Sequence, residues 1–262
     1  MTIKDELRAG RTVLGTFVFE FATPGIGRLA GGAGAEFVIF DTEHTGWNWE
    51  TLAMLVATTR PAGVAAYARV PLAQRSYISR ALDSGVAGVM VPMVESADQA
   101  RDVVRWASYP PDGVRGAAFS VAHDQYAEGD FVEYMRRTNR EKIILAQIET
   151  VGGLAAVDEI AAVEGVDVLW VGHFDLTNSM GIPGQFTHPD YLAALERVVS
   201  ATLAHGKSAG FMAGSVAEAR LVLDKGFRIL AYGGDLWLYR AALREGLGAV
   251  RSLVAPVDGD DR

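Results

Sequence analysis

Three titratable side chains, Asp41, Glu43 and His44, follow directly on the apolar run AEFVIF at residues 35–40. Charged groups at the end of a buried strand lose hydration, so they are expected to pair with one another or to take part in chemistry. His44 is the natural general acid or base, because the pKa of an imidazole lies near neutrality, and Asp41 could orient it. A buried histidine with a structural role is the alternative.

A second group of polar side chains, Gln147 and Glu149, ends the apolar run IILAQIE, and Asp175 follows the run DVLWVG. Residues two apart on a strand share a face, so Gln147 and Glu149 should point together while Ile148 points to the helices. Two carboxylates from neighbouring strand ends, completed by water and substrate, suit Mg²⁺ or Mn²⁺. A structural role, with both acids bound to arginine or backbone, is the alternative.

The basic residues separate two kinds of carbonyl chemistry. Arg69 ends the run AAYARV, where a guanidinium could stabilise an oxyanion or pair with a neighbouring acid. Four lysines occur, and none is predicted at the carboxyl end of a strand: Lys4, Lys142, Lys207 and Lys225. A Schiff base is therefore not expected, and carbonyl chemistry would need a metal ion as its electrophile.

The segment VGHFDLTNSMGIPG has the pattern of a loop that enters a short helix. The backbone amides of Phe174 and Asp175, just after Gly172, could bind a substrate carboxylate. An ordinary helix N-cap by Asp175 is the alternative.

These residues are positioned by eight apolar runs that alternate with stretches of helical periodicity. The predicted strands are 12–19, 36–41, 65–70, 88–94, 143–149, 167–172, 208–214 and 228–234. The predicted helices are 23–33, 49–61, 73–84, 96–107, 152–164, 189–206, 215–225 and 235–252. This order indicates an α/β fold with a single (β/α)₈ barrel domain over residues 1–262. A doubly wound sheet is less favoured, since no G-x-G-x-x-G follows the first strand.

One connection, between the fourth and fifth predicted strands, is unusually long and contains aromatic residues, arginine and histidine. Long loops on a compact barrel commonly carry function. We predict an active-site loop at about 108–135.

Charge and composition narrow the partners. The formal net charge of −8 argues against nucleic acid and anionic membranes, so we expect a small-molecule substrate. The chain has no cysteine and no run near the roughly 20 apolar residues of a membrane span, which favours a cytoplasmic protein.

Several segments together resemble the metal-dependent class II pyruvate aldolases, of the 4-hydroxy-2-oxoheptanedioate and 2-dehydro-3-deoxyglucarate aldolase type. These are GTFVFEFATPGIGRLAGGAGAEFVIFDTEH, ARVP, RALDSGVAGVMVPMVES, YPPDGVRG, LAQIET and VGHFDLTNSMGIPGQF. Citrate lyase β subunits are more distant relatives of that family. The resemblance implies a TIM barrel and reversible cleavage of a 4-hydroxy-2-oxo acid to pyruvate, or hydroxypyruvate, and an aldehyde.

The resemblance also implies roles for particular side chains. Glu149 and Asp175 would bind a divalent cation, Mg²⁺, Mn²⁺ or Co²⁺, that chelates the keto acid. Arg69 would stabilise the enolate oxygen, and His44, paired with Asp41, would move protons. Substrate contacts are predicted for Gln147, Gly172, Phe174, Trp47 and Met212.

Asp83, in ALDSG, matches another acid of the family motif and is predicted to be catalytic. It precedes a strand, so it could serve only the site of a neighbouring subunit, or else it simply ends a helix. The resemblance implies a homo-oligomer, commonly a hexamer, with the last helix exchanged between subunits.

The sequence departs from the family pattern at several points on the expected aldehyde side of the pocket. It reads EHTGW for EHGP and GHFDL for GPxDL, and the long loop lacks an additional arginine. We therefore expect four residues to reshape that side: Trp47, Phe119, His123 and His173.

Three other functions remain open at this point. Decarboxylation of oxaloacetate needs the same enolate. A non-catalytic barrel could bind a keto acid. An isomerase could bind phosphate at the glycines of MAGS and YGGD, although no basic residue accompanies them.

Overall fold

A closed barrel of eight parallel strands forms the centre of the molecule, as the computed structural model, which describes residues 2–254, shows. Each strand pairs with its sequence neighbours, and the first pairs with the last. The strands are β1 (Val13–Val18), β2 (Phe37–Asp41), β3 (Ala65–Arg69), β4 (Gly88–Val91), β5 (Ile143–Ile148), β6 (Val168–Val171), β7 (Ser208–Ala213) and β8 (Ile229–Gly234). The predicted (β/α)₈ barrel is confirmed.

Helices surround the barrel and connect its strands. They are α1 (Ile3–Arg8), α2 (Ile26–Gly32), α3 (Trp49–Thr59), α4 (Arg75–Asp83), α5 (Ala97–Ala107), α6 (Phe131–Glu141), α7 (Val151–Ala155), α8 (Val157–Ala161), α9 (His173–Ser179), α10 (Pro189–Ala204), α11 (Val216–Lys225) and α12 (Asp235–Val254). Two 3₁₀ turns cover Arg60–Ala62 and Ala122–Asp124. The sequence did not predict α1 or α6, whereas the short helix expected after Gly172 is α9.

The strands are apolar on both faces because each face meets a different core. Phe37 and Ile39 of β2 point into the barrel, whereas Val38 and Phe40 pack against the surrounding helices. Several helices that follow strands, α3, α5, α7 and α11, begin at side-chain caps. Asn48 accepts a hydrogen bond from the Thr51 amide, which fixes the start of α3 after the loop that carries the first acidic group.

The amino-terminal end of the barrel is closed by α1. Leu7 of this helix packs into the interior core, and Lys4 Nζ lies 2.8 Å from Asp167 Oδ1 at the start of β6. Lys142 donates to the Asn139 carbonyl and Lys207 to the Val163 carbonyl, also before strands. No lysine therefore reaches the carboxyl end of the barrel, as the sequence predicted.

The long segment after α5 packs at this same amino-terminal end. Both terminal nitrogens of Arg60, which lies between α3 and β3, donate to the carbonyls of Ala122 and His123 at 3.2 and 3.0 Å. The His123 ring is buried and bound to Tyr134 Oη and the Ala118 carbonyl, each at 2.7 Å. This segment and His123 therefore lie away from the mouth of their own barrel, and the active-site role predicted for the loop stays a prediction.

The last helix, α12, is apolar but poorly covered. Leu243, Leu247 and Val250 are 45, 46 and 56% exposed. No helix within residues 2–254 combines the length and hydropathy needed to cross a membrane.

Candidate active site

The carboxylate of Asp41, at the end of β2, is fully buried and organises one side of the mouth. It accepts hydrogen bonds from the backbone amides of Glu43 and His44, each at 3.1 Å, and from Arg69 Nε at 2.8 Å. Asp41 therefore holds the loop after β2 and the guanidinium of Arg69. Asp41 binds the backbone of His44 while Glu43 faces the ring, so a direct pairing of Asp41 with the ring is not seen and its predicted role in orienting the ring stays a prediction.

The side chain facing the His44 ring is Glu43. Its Oε2 lies 3.8 Å from His44 Nε2 and 3.2 Å from Arg69 Nε, is buried, and has no hydrogen-bond partner within residues 2–254. Burial raises the pKa of Glu43 to about 7, the Arg69 charge opposes this, and Asp41 and Asp175 reinforce it. The His44 side chain is 61% exposed, so it can exchange protons with solvent or substrate.

Arg69, at the end of β3, is a buried cation held among acids. Burial lowers its pKa, but the hydrogen bond to Asp41 and the nearby carboxylates of Glu43 and Glu149 outweigh this and raise it above the usual value. Its guanidinium carbon also lies 5.5 Å from the centre of the Phe17 ring. Arg69 therefore stays charged, as an oxyanion partner must.

Gln147 and Glu149 point together at the end of β5, as predicted, while Ile148 joins the outer core. Gln147 Nε2 donates to Glu149 Oε2, and the Met93 amide donates to Glu149 Oε1 at 2.7 Å. Met93 adopts a left-handed backbone with φ 55°, which is uncommon outside glycine. This strained loop residue, which the sequence did not identify, holds one oxygen of Glu149.

Asp175 lies on the same rim, in the first turn of α9. The N-cap of α9 is Gly172, so the alternative role of Asp175 as N-cap is wrong. A Cβ on Gly172 would overlap Glu149 Oε2, and only glycine allows this close approach of α9 to β5.

Neighbouring carboxylates on this rim add to the effect of burial on the pKa of Glu149. Burial raises the pKa of Glu149 to about 7, hydrogen bonds from Gln147 and Met93 oppose this, and Glu43 and Asp175 reinforce it. Within residues 2–254 no group of three His, Asp or Glu side chains forms a metal cage on its own. The possible protein ligands are therefore the carboxylates of Glu149 and Asp175 and the amide oxygen of Gln147. This Oε1 is buried and has no hydrogen-bond partner within residues 2–254.

This donor set fits a divalent cation. Acids that repel one another in a buried position are stabilised by a hard cation, and carboxylate oxygens are its preferred ligands. The open positions would be left to water and substrate.

An aromatic cluster borders α9. His173 stacks on Phe211 with ring centres 5.1 Å apart, and its pKa is lowered to about 4 by burial. Phe174 contacts both His173 and Phe186 and is 61% exposed. His173 is therefore a neutral packing residue, while Phe174 presents its ring to solvent.

Two other residues predicted to contact substrate, Met212 and Trp47, pack against different cores. Met212 of β7 packs on the interior core with Phe19, and Trp47 packs on the outer core. Asp235 accepts the amides of Phe19 and Phe21 at 2.9 and 2.7 Å, which fixes the loop after β1.

Asp83, at the end of α4, lies at the amino-terminal end of its own barrel. It pairs with Arg115 at 2.8 Å and remains half exposed. No direct contact with Asp41 or Glu149 of the same chain is possible from that end.

Comparisons with known proteins identify a family, relatives and structural neighbours. A sequence profile of the HpcH/HpaI aldolase/citrate lyase family matches residues 17–242. A hydroxypyruvate/pyruvate aldolase of Delftia acidovorans is 36% identical over 90% of this chain and 87% of its own. A 5-keto-4-deoxy-D-glucarate aldolase of Shigella boydii is 35% identical over 83% and 84%. The crystal structure of an HpcH/HpaI aldolase from Desulfitobacterium hafniense superimposes with a TM-score of 0.92 at 33% identity, covering 99% of this chain and 100% of its own.

Proposed function

The chain belongs to the HpcH/HpaI aldolase/citrate lyase family, and we propose that it reversibly cleaves 4-hydroxy-2-oxo acids to pyruvate or hydroxypyruvate and an aldehyde. As a member of this family it is an enzyme of the aldolase type, a carbon–carbon lyase. The names of its relatives support the donor, since two of them are hydroxypyruvate/pyruvate aldolases.

Glu149 and Asp175 would hold a divalent cation, Mg²⁺, Mn²⁺ or Co²⁺. When bound, the cation supplies Lewis acidity, which draws electrons from the keto group and acidifies C3. Two observations support this assignment: Glu149 is buried, and the charge of Asp175 raises the pKa of Glu149.

The protein groups then divide the work of breaking the C3–C4 bond. His44 takes the proton of the C4 hydroxyl, directly or through water, as that carbon becomes the aldehyde. The electron pair of the broken bond moves to C3 and the C2 oxygen, where the charge of Arg69 stabilises the enolate. The proton is then returned to C3, which completes pyruvate. In the synthetic direction the same groups act in reverse order.

Glu43 would support His44 in these transfers. Its carboxyl faces the imidazole, and a pKa of about 7 lets it accept or donate a proton near neutrality. The amides of Phe174 and Asp175 would bind the substrate carboxylate at the start of α9, and Gln147 would contact the keto acid. We expect Met212, Phe174 and Trp47 to border the aldehyde.

We further propose that the chain is one domain that works as a homo-oligomer, with α12 exchanged between subunits. The exposed apolar side chains of α12 support this. The segment 108–135 and Asp83 lie far from the mouth of their own barrel, so any active-site role would be in a neighbouring subunit. Half of the Asp83 side chain is free for such a contact.

The observation that carries the proposal is a mouth to which residues 2–254 contribute no lysine, and in which the acids Glu43, Glu149 and Asp175 lie near Arg69. The test is aldol cleavage by protein stripped with chelator, before and after Mn²⁺ is added. We expect activity to disappear and return, and borohydride with pyruvate to leave no adduct. Glu149→Gln should lose both activity and Mn²⁺ binding, whereas the exposed control Glu50→Gln should retain them. Full activity without metal would refute the proposal.

A further inference from the structure

A second cleft, of about 700 Å³, lies at the amino-terminal end of the barrel. It is bounded by α1, the starts of β3 to β5, the 3₁₀ turn Ala122–Asp124 and α6. Its size falls in the range of small-molecule sites. Because Glu149 lies at the opposite end of β5, this cleft is separate from the candidate active site of the same chain.

Basic side chains outnumber acidic ones around the cleft, in a protein whose formal net charge is −8. The basic residues are Lys4, Arg60, Arg115, Arg137 and Lys142, and the acidic ones are Glu36, Asp124 and Glu141. A local excess of positive charge on an acidic protein needs a physical reason.

Two of the acids are already engaged. Glu36 accepts from Arg11 at 2.7 Å and from the Leu14 amide at 2.8 Å. Asp124 accepts from the Val121 amide at 2.8 Å and from the Ser120 amide. These carboxylates stabilise local backbone and a neighbouring arginine, so they do not neutralise the cations of the cleft.

Two of the cations, Lys4 and Arg115, pair with carboxylates, Asp167 and Asp83. The other three do not form an ion pair within residues 2–254. Arg60 donates to backbone carbonyls, Lys142 donates to the Asn139 carbonyl at 3.0 Å, and Arg137 lies over the Tyr134 ring at 5.6 Å.

The cost of this arrangement is visible at Lys142 and Arg115. Lys142 is 9% exposed, and burial, followed by repulsion from Lys4, lowers its pKa to about 8. Arg115 is 3% exposed, and its Nε has no hydrogen-bond partner within residues 2–254. Lys142 has no ion-pair partner within residues 2–254, and a buried cation without a counter-charge is unfavourable. An anion in the cleft would relieve this cost at Lys142 and could also accept a hydrogen bond from Arg115 Nε, whose guanidinium pairs with Asp83.

We propose that this cleft is a binding site for a small polyanion, held by Lys142, Arg60 and Arg137. A phosphate group and a dicarboxylate share the required chemistry, several anionic oxygens that accept charged hydrogen bonds from more than one cation. The three residues come from the end of α3, from α6 and from the segment before β5, so the ligand would join these elements.

The test is isothermal titration calorimetry of the intact, metal-free protein with inorganic phosphate and, separately, with succinate. Ionic strength is held constant with chloride. Because Arg137 lines the cleft and not the mouth, any binding at the mouth would persist in Arg137→Gln. We expect saturable binding of at least one probe. Lys142→Met and Arg137→Gln should each weaken it about tenfold, the equivalent of one charge-assisted hydrogen bond.

Arg140→Gln is the matched control. It removes the same charge from the same helix, but Arg140 binds Glu133 at 3.1 Å and does not line the cleft. Its affinity should equal that of the wild type. Absence of saturable binding, or equal loss in Arg137→Gln and Arg140→Gln, would overturn the proposal. Arg137 is exposed, so its variant should fold even if Lys142→Met does not.

Discussion

Glu43, not Asp41, is the carboxyl group that faces the imidazole of His44. Glu43 Oε2 lies 3.8 Å from His44 Nε2, whereas Asp41 accepts the His44 backbone amide at 3.1 Å and Arg69 Nε at 2.8 Å. The two acids therefore have different tasks. Asp41 fixes the loop and the arginine, while Glu43 is the group that can respond to the protonation state of the ring.

Glu43→Gln should lower kcat for aldol cleavage at least about tenfold, since assistance to general acid–base catalysis commonly supplies more than that. The pKa of Glu43 is raised to about 7, so the limb of the kcat–pH profile near neutrality should also change shape. Steady-state kinetics from about pH 5.5 to about pH 9 would measure kcat and the shape of its pH profile. Glu50→Gln, on the exposed first turn of α3, serves as the control. An unaltered kcat and profile in Glu43→Gln would contradict the assignment.

Gly172→Ala should damage the site and leave the fold intact. The added Cβ would overlap Glu149 Oε2 and must displace the carboxylate or the start of α9. We expect weaker Mn²⁺ binding and a loss of activity, with a circular dichroism spectrum like that of the wild type. Gly25→Ala is the matched control, because Gly25 has φ −88° and open space at its Cβ position. Equal Mn²⁺ affinity in the two variants would show that the contact with Glu149 is unimportant.

The barrel and the positions of its rim residues could be predicted because apolar runs and the alternation of strand side chains are local properties of the sequence. The pairing of His44 could not, since the residue spacing does not reveal which way a side chain turns after β2. The position of Met93 was also invisible, because its left-handed backbone depends on the loop that brings its amide to Glu149.

The end of the barrel at which the segment 108–135 lies could have been predicted from the order of the elements. This segment follows the helix α5, and each helix of such a barrel returns the chain to the amino-terminal end. A connection from helix to strand therefore begins at that end, far from the mouth. The length and aromatic content of the segment suggested a function. The order of the elements already indicated that the segment begins at the amino-terminal end of the barrel.

His173→Phe should make the protein more resistant to acid. Burial lowers the pKa of His173 to about 4, so between about pH 6.5 and 4 the unfolded chain binds a proton that the folded chain does not. Wild-type stability from this group is complete above pH 6.5 and falls as pH decreases toward 4. Phenylalanine keeps the contacts with Phe211 and Phe186 without this titration. Urea unfolding at pH 5 and 7.5 should show a smaller difference in the variant; an identical difference would contradict the burial of a neutral ring.

Leu247→Glu should dissociate the assembly that we propose for α12. Leu243, Leu247, Val250 and Val254 recur at helical spacing and are 45, 46, 56 and 74% exposed, so they form an apolar stripe along one side of this helix. In the proposed assembly this stripe would be buried against a neighbouring subunit. A charged side chain in its middle would then lose its hydration, and the subunits should separate. Light scattering coupled to size exclusion should therefore find a smaller particle than the wild type. Arg244→Glu introduces the same acid on the same helix outside the stripe and should keep the wild-type mass. If Leu247→Glu also keeps that mass, the stripe is not an interface, and exchange of α12 between subunits must be abandoned.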